Sequence, residues 1–345
     1  MKKITFSLVA VALSFNVFAI EYGTSVDLNE YNDFLKLYSS DEMESCSGTL
    51  IAGKFVLTAA HCLKGSYPVI KTTTSKGQNV NIINQNTHPD YYDNSNGGSG
   101  NWHDVAVSEL SDYVETKQIH FFADLTKNTI KLNDNLRVFG FGGTYENLNY
   151  ATFTMIDLGK ELDSVYGKMT VNGGNTRGGD SGGSWLNINN QIVAVHKGSM
   201  AFAFESEPRE TYSTNLHYSN EFIREKVDGW HYPTLANTSN GAATITVQSL
   251  HLNSYTDTAY ESGDVIVTGG TCRNTTNIQP LSTCTYIVES QGGIGTLHLS
   301  DSESIAINKP TPSTESSSGK DGGSIGILSL FALIGLVFCR RKVTL

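Results

Sequence analysis

Six residues, Gly178-Gly179-Asp180-Ser181-Gly182-Gly183, constrain this chain more than any other stretch. Glycines on both sides of a serine let the backbone turn tightly and bring N–H groups close to a bound molecule. Amides at such a turn can stabilise the negative oxygen of a tetrahedral intermediate. The adjoining acid, Asp180, needs a partner if it is buried. A polar glycine-rich loop with an unreactive serine is the alternative, so the rest of the sequence has to decide.

Short runs of alternating apolar and polar residues, punctuated by Gly, Asn and Asp, fill most of the 345-residue chain. Their spacing predicts an all-β fold rather than alternating strands and helices. A short helix is expected at 219–227, with Asn220 as a candidate cap. The predicted strands lie at 49–59, 78–85, 136–141, 152–158 and 191–196, and then at 244–250, 264–268, 285–289 and 295–299.

The chain begins with the pattern of a secretory signal. Residues 1–19 carry Lys2-Lys3, an apolar stretch and the small-residue ending Val17-Phe18-Ala19. We therefore expect export, with a mature chain that starts at Ile20.

The remainder divides into two predicted domains, 20–232 and 242–308, separated by a polar, turn-rich stretch. The second is the size of a small β-sandwich (Ig-like) module with one disulfide. A stalk, a recognition module and a spacer are all compatible with it.

The end of the chain predicts a linker and a short apolar tail. Residues 309–321 are rich in Ser, Thr and Pro, and 322–345 contain Gly322-Gly323, an apolar run at 325–338 and then Arg340-Arg341-Lys342. As a helix the run would be about 21 Å long, short of the roughly 30 Å core of a bilayer. The basic cluster would stay on the cytoplasmic side of this short transmembrane segment.

Charge and residue content argue against some kinds of partner and suggest how the cysteines pair. A net charge of −10 and the lack of a basic stripe argue against nucleic acid as a partner. The histidines show no metal-ligand spacing, so neither a metal nor a cofactor is expected. Among five cysteines, local pairing of Cys46 with Cys62 and of Cys272 with Cys284 is the simplest connectivity, and it leaves Cys339 over.

Two further stretches supply the partners that a reactive serine needs. Thr58-Ala59-Ala60-His61-Cys62 places an imidazole beside a predicted disulfide, and Asp104 opens the apolar run at 105–107. Acyl transfer uses a hydroxyl nucleophile, an imidazole base and a carboxylate that fixes the imidazole tautomer. Each residue alone has a structural explanation. Together with Ser181, in the chain order His, Asp, Ser, they indicate nucleophilic catalysis.

This constellation resembles the trypsin-like (chymotrypsin-fold) serine endopeptidases over residues 20–229. The resemblance implies two six-stranded β-barrels with the site between them and a C-terminal helix. It implies His61 as the base, Asp104 as the orienting acid and Ser181 as the nucleophile, with the amides of Gly179 and Ser181 as oxyanion donors. The matching stretches are 20–23, 47–50, 58–62, 104–107, 139–142 and 178–183.

In this family, proteolysis frees an Ile or Val whose ammonium pairs with the Asp before the nucleophile. Here the signal-peptidase cut would itself free Ile20, so we predict that Ile20 pairs with Asp180 and that no separate zymogen exists. The family's disulfide beside the histidine corresponds to Cys46–Cys62. The disulfide that braces the family's specificity pocket is missing, and Arg177 stands where one of its two cysteines would be.

The residues expected in the S1 pocket, which binds the substrate's P1 side chain, do not favour trypsin specificity. Asn175 stands at the pocket bottom, where trypsin has Asp. Thr176 lies five residues before Ser181, and His196 lies fifteen residues after it. A Thr and a His at these two offsets resemble the pair of side chains that binds the substrate carboxylate in bacterial glutamyl endopeptidases. An acidic P1 residue is one expectation, with Arg177 and Lys197 adding positive potential. An uncharged P1 residue, with His196 as a core histidine and Arg177 and Lys197 facing water, is a second expectation, and a basic P1 residue is a third.

The tail resembles the GlyGly C-terminal sorting signals of Gram-negative bacteria. Such signals are processed by a rhomboid-type protease, and their bearers are commonly exported by type II secretion. The resemblance implies display at, or release from, the cell surface, with export and tail-processing machinery as partners. An inner-membrane tail anchor is the alternative.

A secreted serine endopeptidase, monomeric and acting on protein or peptide substrates, is the function that these features favour. A catalytically inactive protease-like adhesin or binding protein is the main alternative, but such proteins normally lack a triad member or the glycine loop. An esterase would more naturally show the order Ser, Asp, His.

Overall fold

A computed structural model describes residues 20–41, 44–65, 67–92, 102–142, 147–158, 163–169, 174–199 and 210–310. The predicted signal at 1–19 and the tail at 322–345 lie outside these residues, as does all but the start of the predicted linker. Within the described part of the chain, no helix combines the length and apolar character needed to cross a membrane.

A closed barrel of six antiparallel strands follows the short first strand, β1 (Thr24–Ser25). Its strands are β2 (Phe34–Ser39), β3 (Glu44–Ile51), β4 (Phe55–Thr58), β5 (Val69–Thr73), β6 (Asn79–Thr87) and β7 (Ala106–Leu110), in the order β2-β3-β4-β7-β6-β5. The single strand predicted at 49–59 is wrong, because β3 and β4 form a hairpin there. Its turn contains Ala52 and Gly53, both at positive φ.

Six further strands form a second barrel: β8 (Asn135–Gly140), β9 (Asn149–Asp157), β10 (Ser164–Met169), β11 (Ser184–Leu186), β12 (Ile192–Ser199) and β13 (Glu210–Asn215). They run in the order β9-β10-β13-β12-β11-β8, and the ring closes because β8 also pairs with β9. In β9, Ala151, Phe153 and Met155 are buried while the residues between them are more exposed, the two-residue period of a strand. The expected chymotrypsin-like, two-barrel, all-β fold is confirmed.

Helices are few in the described ranges: α1 (His61–Lys64), a 3₁₀ turn (Leu216–Ser219), α2 (Asn220–Val227) and α3 (Thr271–Asn274). The predicted helix is present as the end of the 3₁₀ turn and α2, and it buries Phe222 and Ile223 as its apolar positions require. Its cap differs from the prediction. Asn220 is already helical, whereas the Asn215 side chain accepts a hydrogen bond from the His217 N–H at the start of the 3₁₀ turn.

Two four-stranded sheets form the C-terminal module, in the orders β14-β16-β19-β18 and β15-β21-β20-β17. The strands are β14 (Trp230–His231), β15 (Leu235–Ala236), β16 (Ala242–Ser249), β17 (Tyr260–Gly263), β18 (Ile266–Gly269), β19 (Thr283–Glu289), β20 (Gly295–His298) and β21 (Ser304–Ile307). Ile245 and Tyr286 of one sheet share a core with Leu297 and Ile305 of the other, which makes the module a sandwich. The division at 232 and 242 stays a prediction, and the strands of these sheets begin at Trp230.

Buried hydrogen bonds join this module to the inter-barrel connection (111–134), the segment that links β7 to β8. The Gln248 amide accepts from the Phe122 N–H at 2.9 Å and donates to the Phe122 carbonyl at 2.8 Å. Nearby, the Thr234 hydroxyl accepts from the Thr116 N–H at 2.8 Å. The module therefore packs on the segment that sets the two barrels side by side.

Candidate active site

The predicted acid and base lie at neighbouring strand ends. His61 opens α1 just after β4, Asp104 lies just before β7, and these two strands pair with Thr58 opposite Ala106. Asp104 Oδ2 is 2.7 Å from His61 Nδ1, and Asp104 Oδ1 accepts from the His61 backbone N–H at 2.8 Å. The acid is fully buried, whereas the His61 side chain is 28% exposed. The acid thus orients a ring that stays accessible.

Ser181 reaches the same place from the second barrel. Its carbonyl oxygen accepts a hydrogen bond from the Ser47 N–H of β3 at 2.7 Å. The same oxygen lies 3.8 Å from Cys62 Sγ, and that sulfur lies 3.9 Å from His61 Nε2. The turn that carries the predicted nucleophile is therefore seated beside the predicted base, in the cleft between the barrels.

The predicted disulfides are both present, Cys46–Cys62 and Cys272–Cys284. The first lines the site, because Cys62 follows His61 directly. Cys46, His61 and Cys62 cluster closely enough to suggest a metal site, but both sulfurs are bonded to each other and offer no thiolate.

Glycine is required at two positions of the 178–183 turn. Gly179 has φ +98° and Gly182 has φ +84°, a region that costs other residues free energy. A Cβ on Gly182 would also collide with the hydroxyl of Thr58 in the first barrel. Because a side chain at Gly182 would push the barrels apart, the sequence pattern reflects a close approach between them.

Asp180 is fully buried beneath this turn. Its two carboxylate oxygens accept from the Gly142 N–H at 2.8 Å and the Arg177 N–H at 2.7 Å. Ile20 is also fully buried, and the adjoining Glu21 accepts from the Asn175 N–H through its carbonyl at 2.7 Å. The predicted pair of Ile20 and Asp180 stays a prediction.

Two predicted S1 residues are joined by a third that sequence reasoning missed. The hydroxyls of Thr176 and Thr211 are 2.9 Å apart, and Thr211 Oγ1 lies 3.4 Å from His196 Nδ1. Burial, helped by the nearby imidazole of the predicted base, lowers the pKa of His196 to about 3, so its ring is neutral at pH 7. Asn175 lies in the same stretch, with its Oδ1 buried and lacking a hydrogen-bond partner among the described residues.

The two cations expected to add positive potential are engaged elsewhere. The Arg177 guanidinium lies 3.0 Å from the Glu21 carboxylate. The Lys197 ammonium donates to the Ser164 hydroxyl at 2.9 Å and is buried. Their contribution to a carboxylate site stays a prediction.

Several hydrogen bonds around the site carried no signal in the sequence. The Ser47 hydroxyl donates to the Gly179 carbonyl at 2.8 Å and accepts from the Phe141 N–H at 3.0 Å. Asp163 and Thr214 of the second barrel contact the backbone of His103 and Asp104. These contacts join residues far apart in the chain, so no local sequence motif predicts them.

A family model described as Trypsin matches residues 23–223. The chain belongs to the trypsin family. It is accordingly a serine endopeptidase, a hydrolase that acts on protein or peptide substrates.

Two known proteins are similar to part of this chain. It is 27% identical over 197 residues to a trypsin of Saccharopolyspora erythraea, covering 50% of this chain and 83% of that protein. It is 30% identical over 130 residues to the serine protease Hayan of Drosophila melanogaster, covering 35% of this chain and only 20% of Hayan. Among solved structures, the Vibrio cholerae VesB protease aligns with TM-score 0.47 at 17% identity, over 84% of this chain and 98% of VesB. The secreted Vibrio cholerae protease VesC aligns with TM-score 0.48 at 15% identity, over 83% of this chain and 70% of VesC.

Proposed function

We propose that this trypsin-family protein is an exported endopeptidase in which Ser181 is the nucleophile, His61 the general base and Asp104 the acid that orients it. The observation that carries the proposal is the fully buried Asp104 carboxylate, which bonds to both the ring and the backbone of His61. A buried carboxylate on Nδ1 holds the N–H there and leaves Nε2 to accept a proton. That nitrogen lies 3.9 Å from Cys62 Sγ, and the same sulfur lies 3.8 Å from the Ser181 carbonyl oxygen.

The reaction follows from these positions. His61 Nε2 takes the proton of the Ser181 hydroxyl as its oxygen attacks the scissile carbonyl, and later returns a proton to the leaving amine. The amides of Gly179 and Ser181 stabilise the negative oxygen that develops, which typically contributes about 10²–10³ in rate per donor. Water then hydrolyses the acyl-enzyme by the same route.

Covalent labelling tests the nucleophile. Full-length secreted protein is treated with a peptidyl organophosphonate, and the adduct is located by peptide mass mapping. We expect one adduct, on Ser181, and none in Ser181→Ala or His61→Ala. Ser184, which is buried three residues further along the chain, supplies the matched control, because Ser184→Ala should still be labelled. An unlabelled wild-type protein would mean a protease-like binding protein instead.

We further propose that the Ile20 ammonium, once free, is the partner of Asp180. Support comes from the burial of both residues and from the hydrogen bond between Asn175 and Glu21, which holds the start of the mature chain beside the 178–183 turn. N-terminal sequencing of active protein should begin at Ile20. Active protein that begins elsewhere would contradict the pairing.

An acidic P1 residue is the substrate preference that the S1 residues support. Thr176, Thr211 and His196 form one buried group of two hydroxyls and an imidazole. The Thr211 hydroxyl donates to the Gly198 carbonyl at 3.2 Å, so the Thr176 hydroxyl and the protonated His196 ring are the donors for a carboxylate that leaves water. A bound carboxylate would also raise the pKa of His196 from its low value, because an opposite charge favours the protonated ring.

Substrates that differ only at P1 test this preference. We expect kcat/KM for Glu to exceed that for Gln and Lys by at least about tenfold, since charged hydrogen bonds contribute roughly 1.5–3 kcal/mol. Thr211→Val should reduce the preference for Glu and leave cleavage after Gln little changed. Thr154→Val in β9, whose hydroxyl bonds to Asn135 away from this group, is the matched control. A preference for Gln or Lys in the wild type would contradict the assignment.

Export and tail processing complete the proposal. The secretory pattern at 1–19 and the two disulfides both suit an oxidising compartment, and the GlyGly tail at 322–345 suits surface display or release of a monomer. Fractionation with intact mass measurement tests this. Mature protein that retains 331–345 in the inner membrane would support a tail anchor instead.

A further inference from the structure

Asp163 makes a contact that the proposed reaction does not use. It lies directly before β10 in the second barrel, and its side chain is 3% exposed. Its Oδ2 accepts a hydrogen bond from the His103 backbone N–H at 2.5 Å. His103 is the residue immediately before Asp104. The buried Asp163 carboxylate of the second barrel therefore bonds to the backbone next to Asp104, the proposed orienting acid of the first barrel.

The His103 backbone needs such a contact. Its φ is +48°, in the left-handed region that only a few per cent of residues other than glycine occupy. Residues in this region persist only where their surroundings hold them, and they concentrate at functional sites. The φ of His103 sets the direction in which Asp104 leaves the backbone.

The neighbouring contacts show that this segment is fixed from both barrels. The Thr214 hydroxyl donates to the Asp104 carbonyl at 3.2 Å. Thr214 pairs directly with Ser164, the residue after Asp163, so both anchors come from adjoining strands, β13 and β10. On the first-barrel side, the His88 N–H donates to the Val105 carbonyl at 3.0 Å.

The His103 imidazole, unlike the His103 backbone N–H, makes no hydrogen bond to Asp163. Its Nδ1 lies 3.7 Å from Asp163 Oδ2, beyond hydrogen-bond distance, and is buried with no hydrogen-bond partner in the described ranges. The ring stacks on His88, with centroids 4.4 Å apart. Asp163 therefore acts on His103 through the N–H.

We propose that Asp163 is a positioning residue for peptide-bond hydrolysis: it holds His103 in the left-handed conformation and so aims the Asp104 carboxylate at His61. This inference rests on the proposed role of Asp104. Misplacing a catalytic group by about 1 Å can cost about 100-fold in rate, so loss of the grip should lower kcat and leave KM, which depends on the substrate pockets, nearly unchanged.

Four variants of the full-length protein test the proposal by kcat and KM on one peptide substrate. Asp163→Ala removes the acceptor, and we expect kcat to fall about 10- to 100-fold with KM within about twofold. Asp163→Asn keeps an oxygen that can accept from the His103 N–H, so kcat should stay within about threefold. His103→Ala removes the ring and keeps the N–H, and should also retain kcat. Asp163→Ala combined with His103→Gly should recover much of the lost kcat, because glycine adopts positive φ freely.

Several results would overturn the proposal. Equal losses in Asp163→Asn and Asp163→Ala would mean that the charge of Asp163 matters rather than its grip, and a loss in His103→Ala would transfer the role to the imidazole. No recovery in the double variant would exclude the backbone conformation as the cause. Loss of the wild-type near-ultraviolet circular dichroism in Asp163→Ala would mean that this variant is not correctly folded. Asp163→Asn and His103→Ala then test the proposal, because it requires both of them to keep kcat. Wild-type protein that fails to label at Ser181 would instead refute the proposed function.

Discussion

Replacing Gln248 should reveal how strongly the C-terminal module stabilises the two barrels. The Gln248 side chain is 1% exposed. It bonds to the Phe122 N–H and carbonyl at 2.9 and 2.8 Å, and its amide also donates to the Leu281 carbonyl at 2.9 Å. Gln248→Leu preserves the approximate size and removes all three hydrogen bonds at once.

The magnitude follows from the three backbone groups that lose their partner. A buried polar group left unsatisfied costs about 1–3 kcal/mol, and burying a leucine in place of an amide offsets a part of the sum. We expect the free energy of unfolding to fall by about 3 kcal/mol, a large share of the roughly 5–15 kcal/mol typical of a folded protein. With an m-value of roughly 3 kcal/mol/M, the urea midpoint should fall by about 1 M.

Urea unfolding followed by tryptophan fluorescence measures this shift, in a Ser181→Ala background that prevents self-digestion. Trp185 lies in the core of the second barrel and Trp230 in the core of the sandwich, and both are fully buried. The fluorescence therefore reports on both parts of the molecule. The exposed Gln279→Leu is the matched control, and we expect its midpoint to change by less than about 0.2 M, as for most surface substitutions.

A Gln248→Leu midpoint equal to that of the parent would refute this reasoning. It would mean that the module contributes no buried polar contact of consequence to the inter-barrel connection. An equal fall in Gln279→Leu would point to a general effect of adding a leucine.

Three further predictions concern the site and its support. Asp104→Asn should lower kcat by roughly 10⁴, the cost of presenting the wrong imidazole tautomer, measured by single-turnover kinetics. Stability should fall as the pH drops from 6.5 toward 3–4, because burial lowers the pKa of His196 to about 3 and of His231 to about 4, so the unfolded chain binds more protons throughout that window. Thermal unfolding across this pH range measures the fall, and His196→Gln should flatten it. Replacing Cys46 and Cys62 together by Ala should cost about 3 kcal/mol by loop entropy, read from urea midpoints, and also lower kcat, since this disulfide touches the site.

Each of these has an outcome that contradicts it. Asp104→Asn with kcat within tenfold of wild type would remove the acid from the mechanism. Stability that holds constant from pH 6.5 to 4 would mean that His196 and His231 are not buried as neutral rings. A Cys46→Ala, Cys62→Ala variant with unchanged kcat would confine that disulfide to a structural role, and Cys272→Ala combined with Cys284→Ala in the module is the control that should leave kcat unchanged.

Local patterns in the sequence suffice for the all-β class and for the residues that carry the proposed chemistry. His61 stands beside a disulfide cysteine, and Ser181 lies among glycines that the turn requires, so short motifs single out both. Asp104 is singled out because it opens an apolar strand. Each residue alone also has a structural explanation, so the proposed roles depend as well on the chain order His, Asp, Ser and on the resemblance to a known family.

Contacts between residues distant in the chain emerge only from the folded molecule. Thr211 joins Thr176 to His196, and Asp163 reaches the backbone before Asp104, because strands from separate parts of the chain pair and pack around the cleft. The hairpin at 52–53 and the start of the sandwich at Trp230 likewise depend on which strands pair. Hydrophobic alternation predicts that a strand exists, but its partner is selected by packing of the whole core, which no short stretch of sequence encodes.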